Sequence, residues 1–507
     1  MTYLIWSILA LPVFVTILIL SYLLLIKKNG YIWLMPWLSH WIKTKYKSSP
    51  VEGTTHILFL FVDHFEPQNG EASKPQAISR IKKWLNQYPL IAKNHHDADG
   101  RSPQHTWFYP CEKDLSHLLY LADLPFNGFG EIELHLHHDN DNSGTLRRKL
   151  EIAKKEFMKR GACITAEQTP RQYYGFIHGN WALDNSRRDG KWCGVNDELT
   201  ILKQTGCFAD FTMPSAPHQT QTRKINSIYY AKDDPRKPKS HNKGTDATVG
   251  NRNRTDLLLV QGPLALSLPN GTGRWYPSIE NGEIASDNPP TPKRIDQWIN
   301  SQIHVKGRPN WIFIKVHTHG APDDQHPVLL GKPLDEMFSY LESKYNDGKN
   351  YHLHYITARE AFNIIKAAED GKEGNPGNYR DYIIPPYSNT RIKANVLHIL
   401  KSYSKDRLDI INLQKSRRCV FQIKKGQLEK IEGMISMFRF RRHYKERMLE
   451  LNIRGKNKIY FSVRTIKQVQ TIVGGELVKS RRINRYFITN VSANLNPGMN
   501  NRIVIRW

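Results

Sequence analysis

Five apolar runs of strand length in this 507-residue chain end in side chains that can bind a metal or move a proton. Residues 56–62 run straight into Asp63-His64-Phe65-Glu66-Pro67, and residues 131–134 into His135-Leu136-His137-His138-Asp139. Residues 174–177 meet His178-Gly179-Asn180-Trp181, Phe208-Ala209 meets Asp210, and residues 311–316 meet His317-Thr318-His319. In parallel sheets and barrels the carboxyl ends of strands form the site face, so these groups are expected on one rim. Residues two apart on a strand share a face, which pairs His135 with His137 and His317 with His319. Imidazole with carboxylate is the usual donor set for zinc or another first-row divalent ion. A catalytic site uses about three protein ligands and keeps a position for water. Such an ion lowers the pKa of a bound water towards 7 and polarises a carbonyl oxygen.

Each group also has an ordinary structural reading. His135 and His137 fit hydrogen-bonded core histidines, His178-Gly179-Asn180 fits a plain turn, and Asp210 fits a satisfied partner of a backbone amide. Trp107 and Trp181 suit core packing as well as stacking on a sugar ring. His352 and His354 begin their strand, so they face the opposite rim and read as structural; His95-His96 read as a solvated pair in a polar loop.

Positioning these groups takes strands alternating with helices. Strand-length runs recur at 56–62, 105–109, 131–135, 173–177, 207–213, 257–268, 311–316 and 352–357. Helical spacing follows Ser73 through Tyr88 and Asp114 through Ala122, and recurs at 292–303 and 358–368. Residues 145–160 carry Leu146, Leu150, Ala153 and Phe157 on one face. The alternation predicts an α/β fold with a parallel sheet, most simply a barrel over residues 51–371. Residues 232–255 form a long aperiodic loop, and 372–390 a linker.

Charge separates the chain into two jobs. Residues 391–507 hold 27 Lys+Arg against 7 Asp+Glu, a net +20 of the overall +26, whereas 18 of the 21 His lie between His56 and His354. The basic segment predicts a small mainly-β module whose Lys415–Arg418, Arg439–Arg442 and Lys479–Arg482 clusters attract an anionic partner: lipid, acidic glycan or lipid-linked saccharide. No recognised nucleic-acid motif accompanies them, which argues against that partner. Five cysteines are too few and too scattered for a disulfide scaffold or a zinc ribbon. No Gly-x-Ser-x-Gly elbow, phosphate-binding loop or dinucleotide fingerprint follows a strand.

Residues 4–26 are uncharged and long enough to span a bilayer, so residues 1–28 are expected to be a transmembrane anchor. Lys27, Lys28, Lys43, Lys45 and Lys47 follow it, which by the positive-inside rule places the rest on the cytoplasmic side. Residues 29–50, with Tyr31 and three Trp, suit the headgroup layer or a buried start to the next domain.

In motif order and strand placement, residues 55–370 resemble the polysaccharide deacetylases, carbohydrate esterase family four. The resemblance implies an irregular seven-stranded β/α barrel, a divalent metal, most simply zinc, and removal of N- or O-acetyl groups from a polysaccharide or glycolipid. Asp63 would be the base, His64 and His135 metal ligands, and His137, His138 or Asp139 a further ligand. His317, with His319 beside it, would be the acid. His178-Gly179-Asn180-Trp181 would sit at the family's cleft-lining motif, with His178 catalytic and Asn180 and Trp181 substrate-binding; Asp210 and Trp107, at the other strand ends, are expected substrate contacts too. The sequence departs from the family pattern: Asp-His stands for Asp-Asp, and His-Leu-His-His-Asp for His-Ser-x-x-His. A glycosidase on the same barrel and an inactive glycan-binding scaffold are the alternatives. With the anchor, this predicts a single-pass protein of the bacterial inner membrane.

Overall fold

In the computed structural model, a mostly parallel ten-stranded sheet carries residues 55–356. The structure describes residues 19, 22–47, 53–159, 173–251, 253, 255–267, 277–384, 390–391, 399–404, 407–411, 417–423, 428–443, 447–465, 467–483, 486–496, 499 and 501–507. The strands are β1 (Thr55–His64), β2 (His105–Pro110), β3 (Gly130–Leu136), β4 (Tyr174–His178), β5 (Cys207–Asp210), β6 (Ile228–Ala231), β7 (Gly244–Asp246), β8 (Leu257–Val260), β9 (Trp311–Thr318) and β10 (Tyr351–Ile356). The longer helices are α1 (Gly30–Lys47), α2 (Lys74–Ala92), α3 (Ser143–Lys159), α4 (Glu198–Gln204), α5 (Pro292–Ile299), α6 (Lys332–Tyr345) and α7 (Ala358–Glu369).

β1 is apolar without alternation because both of its faces are covered. Ile57, Phe59 and Phe61 enter the core beneath the outer helices, while Leu58, Leu60 and Val62 enter a second core on the inner face. β1 pairs in parallel with β9 along most of its length. Its other edge is shared by β10 at the start and β2 at the end. The outer helices begin at chemically fitting positions: Ser73 accepts from Gln76 N at α2, and Thr291 from Arg294 N at α5.

The expected seven-stranded barrel is corrected by this sheet. Its order is β9-β1-β2-β3-β4-β5-β8-β6-β7, and β6 and β7 run antiparallel at one edge. Among the described residues, no pairing joins the edge strands β7 and β9. The sheet curls enough that Lys315 on β9 donates to the carbonyls of Phe211 (2.6 Å) and Met213 (2.7 Å), just past β5. The inner face is filled by a whole helix, α7, buried along all twelve residues. Its polar groups are paired there: Arg359 with Glu131 and Asp381 (each 2.8 Å), Glu360 with Arg101 (2.9 Å), and Lys366 with Glu369 (2.6 Å).

Among the described residues, no helix is long and apolar enough to cross a membrane. This corrects the expected transmembrane anchor and the inner-membrane location that rested on it. Residues 4–18, 20 and 21 of that expected span lie outside the described residues. The helix described next, α1, sets one face against the sheet domain. Ile32 and Trp33 are buried against Ala216, Ile225 and Leu264, and His40 Nε2 lies 2.8 Å from the Ser301 carbonyl. Tyr31, Met35, Trp41 and Tyr46 stay exposed on it.

The described residues between 390 and 506 form a second, antiparallel ten-stranded sheet. Its longest pair joins Leu428–His443 to Met448–Thr465, and Leu449, Leu451, Phe461, Val491 and Ile503 are buried in it. The 439–442 and 479–482 basic clusters lie on its strands, whereas Lys415 and Ser416 lie outside the described residues.

Histidines at the amino ends of β1 and β10 predict acid sensitivity. His56 Nδ1 lies 2.9 Å from His354 Nε2, and His354 Nδ1 lies 2.9 Å from Asp99 Oδ2. Burial first, then the neighbouring His354 and His352, lowers the His56 pKa from 6.5 to about 4. The unfolded chain therefore takes up this proton before the folded one does. The group's stabilisation is complete above about pH 6.5 and is lost as pH falls towards about 4. His56→Gln should make the fall of Tm over that interval shallower by calorimetry. An unchanged slope would assign the acid lability to other groups.

Candidate functional site

At the carboxyl end of the sheet, strand alternation sorts neighbouring residues onto opposite sides. His64 follows Leu60 and Val62 to the inner side, whereas Asp63 follows Phe59 and Phe61 outward. Asp63 is fully buried, with His105 Nε2 at 3.0 Å from Oδ2 and the Gly320 N–H donating to Oδ1 at 2.7 Å. Both carboxylate oxygens are engaged, so Asp63 ties down the chain past β9; this corrects its expected place as a base beside His64. A Cβ at Gly320 would overlap the Asp63 carboxylate and lie 2.7 Å from Trp84 Cζ2. Gly320→Ala should therefore lower stability by about 1–3 kcal/mol, read from the denaturation midpoint.

On the inner side the rim gathers four histidines and a glutamate. The rings of His64 and His319 stack at 4.6 Å, those of His64 and His135 lie 5.0 Å apart, and those of His135 and His137 lie 4.5 Å apart. Glu66 stands between them: Oε1 is 3.2 Å from His135 Nε2 and 3.5 Å from His137 Nε2. The other nitrogens are anchored. His135 Nδ1 donates to the Ile177 carbonyl (2.8 Å), and His137 Nδ1 lies 2.8 Å from Glu112 Oε1. Oxygens that hold Nδ1 in this way fix the tautomer of metal-binding histidines and turn Nε2 towards the ion. His64, Glu66 and His319, and likewise Glu66, His135 and His137, bring their donor atoms within 4.8 Å of one another, so these groupings can hold a metal ion.

Electrostatics at the rim follow from crowding. Burial first, then His319, His135, His317 and Lys315, pushes the His64 pKa well below its usual value. Burial works against ionisation of Glu66, yet the His135 hydrogen bond and the nearby imidazoles bring its pKa down to about 2. Burial likewise opposes protonation of His137, but its bond to Glu112 and the charge of Glu66 raise its pKa.

His317 lies behind this group, its ring 6.3 Å from that of His64. It is almost fully buried, and its Nδ1 has no hydrogen-bond partner. Burial, with Lys315 next to it in effect, pushes its pKa well down. His319 instead borders an open cleft of about 460 Å³ lined by Asn69, Arg80, Glu283, Asp287 and Asp324. The Trp181 ring lies 6.2 Å from that of His64 and 5.8 Å from that of His319. Asn180, beside it, takes a left-handed conformation with φ 55°.

Four other expected site residues fall elsewhere. Asp139 is exposed and accepts from Trp192 N (2.7 Å) and Asn140 N (3.0 Å), so it holds a turn instead of joining the ligands. Trp107 points outward from β2 into the helix core, against Trp84 and Tyr88, where no substrate can stack on it. Asp210 accepts from the Thr212 hydroxyl (2.7 Å) and N–H (3.0 Å); burial raises its pKa to about 7. His178 lies in a separate buried cluster with His138, Cys193 and Glu198.

Sequence reasoning missed Glu66 and Glu112. Glu66 stands two residues beyond His64, the same-face spacing that pairs His135 with His137, so that signal was available. Glu112 lies in the turn after β2 and has no such signal. It also missed the pairing of His95, which is buried between Asp335 and Glu342 instead of solvated. Compared with known proteins, the chain matches no family model and no curated relative.

Proposed function

We propose that this chain is a metal-dependent hydrolase that removes N- or O-acetyl groups from a saccharide. The observation that carries the reading is the pair His135 and His137, each anchored through Nδ1, with both Nε2 atoms turned on the Glu66 carboxylate. Without a cation or a shared proton, His135 Nε2 would face the carboxylate lone pair to lone pair. Histidine nitrogen with one carboxylate suits zinc, as in three-ligand hydrolytic sites. What such an ion supplies is an acidified water and polarisation of the substrate carbonyl.

The chain's own residues do the rest. Glu66, His135 and His137 hold the ion, and His64 bounds the far side of the site. His319, at the edge of the open cleft, protonates the leaving group. The indole of Trp181 offers an apolar face to a sugar ring, and the polar cleft beside His319 suits a hydroxyl-rich ligand. The motif resemblance to the polysaccharide deacetylases supports an acetyl group as the acyl transferred to water, with the sugar nitrogen or oxygen as the leaving group.

The test is metal analysis of the full chain and of His135→Ala after loading with zinc, followed by acetate release from acetylated oligosaccharides. Rim metal that is lost in the variant, together with acetate release that needs His135, would support the reading. Folded protein whose rim takes up no zinc, cobalt or manganese would overturn it.

A further inference from the structure

Behind the rim, on the other side of the β3 end, lies a second donor cluster that the proposed hydrolysis does not use. His137 and His138 are consecutive, so their side chains leave the extended chain in opposite directions. His138 meets His178 from the end of β4, with ring centroids 4.6 Å apart. Cys193 comes from the loop between β4 and α4, and Glu198 is the first residue of α4. All four residues are buried, and their donor atoms lie within 4.8 Å of one another.

We propose that His138, His178, Cys193 and Glu198 form a closed, four-ligand zinc site with a structural role. His138 Nε2 is 3.1 Å and His178 Nε2 is 3.5 Å from Glu198 Oε1, and Cys193 Sγ is 3.3 Å from Glu198 Oε2. Zinc–ligand bonds of about 2.0–2.3 Å in a tetrahedron give ligand–ligand edges of roughly 3.3–3.8 Å, close to this spacing. Each donor is already oriented. His178 Nδ1 donates to the Gly179 carbonyl (2.6 Å), and His138 Nδ1 lies 3.0 Å from Asp141 Oδ2, so both Nε2 atoms face the centre. The backbone N–H groups of Asn185 (3.3 Å) and Val195 (3.4 Å) donate to the Cys193 sulfur and hold it in place. The Asp184 N–H donates to Glu198 Oε2 (2.6 Å).

A metal-free network accounts for part of this cluster: a protonated His138 pairs with Asp141 and Glu198, and the Cys193 thiol donates to Glu198. It leaves His178 Nε2 fully buried without a hydrogen bond, 3.5 Å from the Glu198 oxygen that His138 already engages. A tetrahedral ion satisfies that nitrogen. Four protein ligands leave no position for water, which marks a structural site and not a hydrolytic one. Residues 179–197 need such a tie, because they contain only two short 3₁₀ turns. Anchoring this loop also fixes the rim, since Gly179 packs directly against the ring of His137.

The experiment is metal analysis of zinc-loaded full chain beside Cys193→Ala and Glu66→Gln, with cobalt(II) spectra of all three. The expected result is one zinc fewer in Cys193→Ala than in wild type. A thiolate-to-cobalt charge-transfer band should appear in wild type and in Glu66→Gln and be absent from Cys193→Ala. Should Cys193→Ala not fold, Cys193→His is expected to fold, keep the zinc and lose the band. Cobalt-loaded wild type without a thiolate band, or Cys193→Ala with unchanged zinc content and Tm, would overturn the proposal. Loss of the rim ion alone, in Glu66→Gln or throughout, bears on the hydrolase reading and leaves this site standing.

Discussion

Glu66→Gln is expected to empty the rim site and to slow hydrolysis by roughly 100-fold or more, the scale on which positioned catalytic groups act. The substitution keeps the shape of the side chain and removes the charge that His135 Nε2 and His137 Nε2 face at 3.2 and 3.5 Å. Glu66 also belongs with His64 and His319, so one residue joins both halves of the rim. The fold should survive, because Glu66 is only partly buried and a carboxamide still bonds an imidazole. The measurement is zinc content and acetate release at matched circular dichroism. Full zinc occupancy at the rim in the variant would remove Glu66 from the ligand set.

Arg359→Met is expected to cost about 3–5 kcal/mol, the range for removing one partner of a buried ion pair. Arg359 is almost fully buried on the inner face, where it binds Glu131 and Asp381 and donates to the carbonyl of Ile384. Its loss strands Glu131, a carboxylate whose pKa burial already raises despite the guanidinium. The double change Arg359→Met with Glu131→Leu should recover part of the loss, since apolar groups of similar volume can replace a buried pair at little cost. Urea unfolding of the two variants checks this. A double variant no more stable than the single would mean that Asp381 and the backbone carbonyls carry most of the interaction.

Much of the rim was legible because strands alternate. His135 with His137, and His319 at the end of β9, follow from period two once the strands are recognised. The same rule, applied strictly, separates Asp63 from His64 and adds Glu66 to His64. It does not by itself say which parity faces inward. That choice belongs to the packing of Phe59 and Phe61 under the outer helices, which turns Asp63 away from the rim. Trp107 fails as a sugar platform for the same reason.

Helix α7 shows the limit of pattern reading. Arg359, Glu360, Lys366 and Glu369 look like a solvated face on a sequence with helical spacing, yet every residue of the helix is buried. Their partners come from distant positions, Glu131, Arg101 and Asp381 among them, and only the folded chain brings these together. That buried helix fills the inner face of the sheet, and among the described residues no pairing joins the edge strands β7 and β9. Cys193 and Glu198 are likewise far from His138 along the chain, and no spacing rule connects them.

By itself, the sequence determined the alternation of strand and helix, the delivery of His and Asp to strand ends, and the division into a His-rich part and a basic part. These depend on local periodicity and composition, which each segment carries alone. The tertiary structure alone decided which face of each strand looks inward, which carboxylate meets which imidazole, and that a charged helix is buried. Those depend on contacts between segments up to hundreds of residues apart, whose energies no single segment encodes.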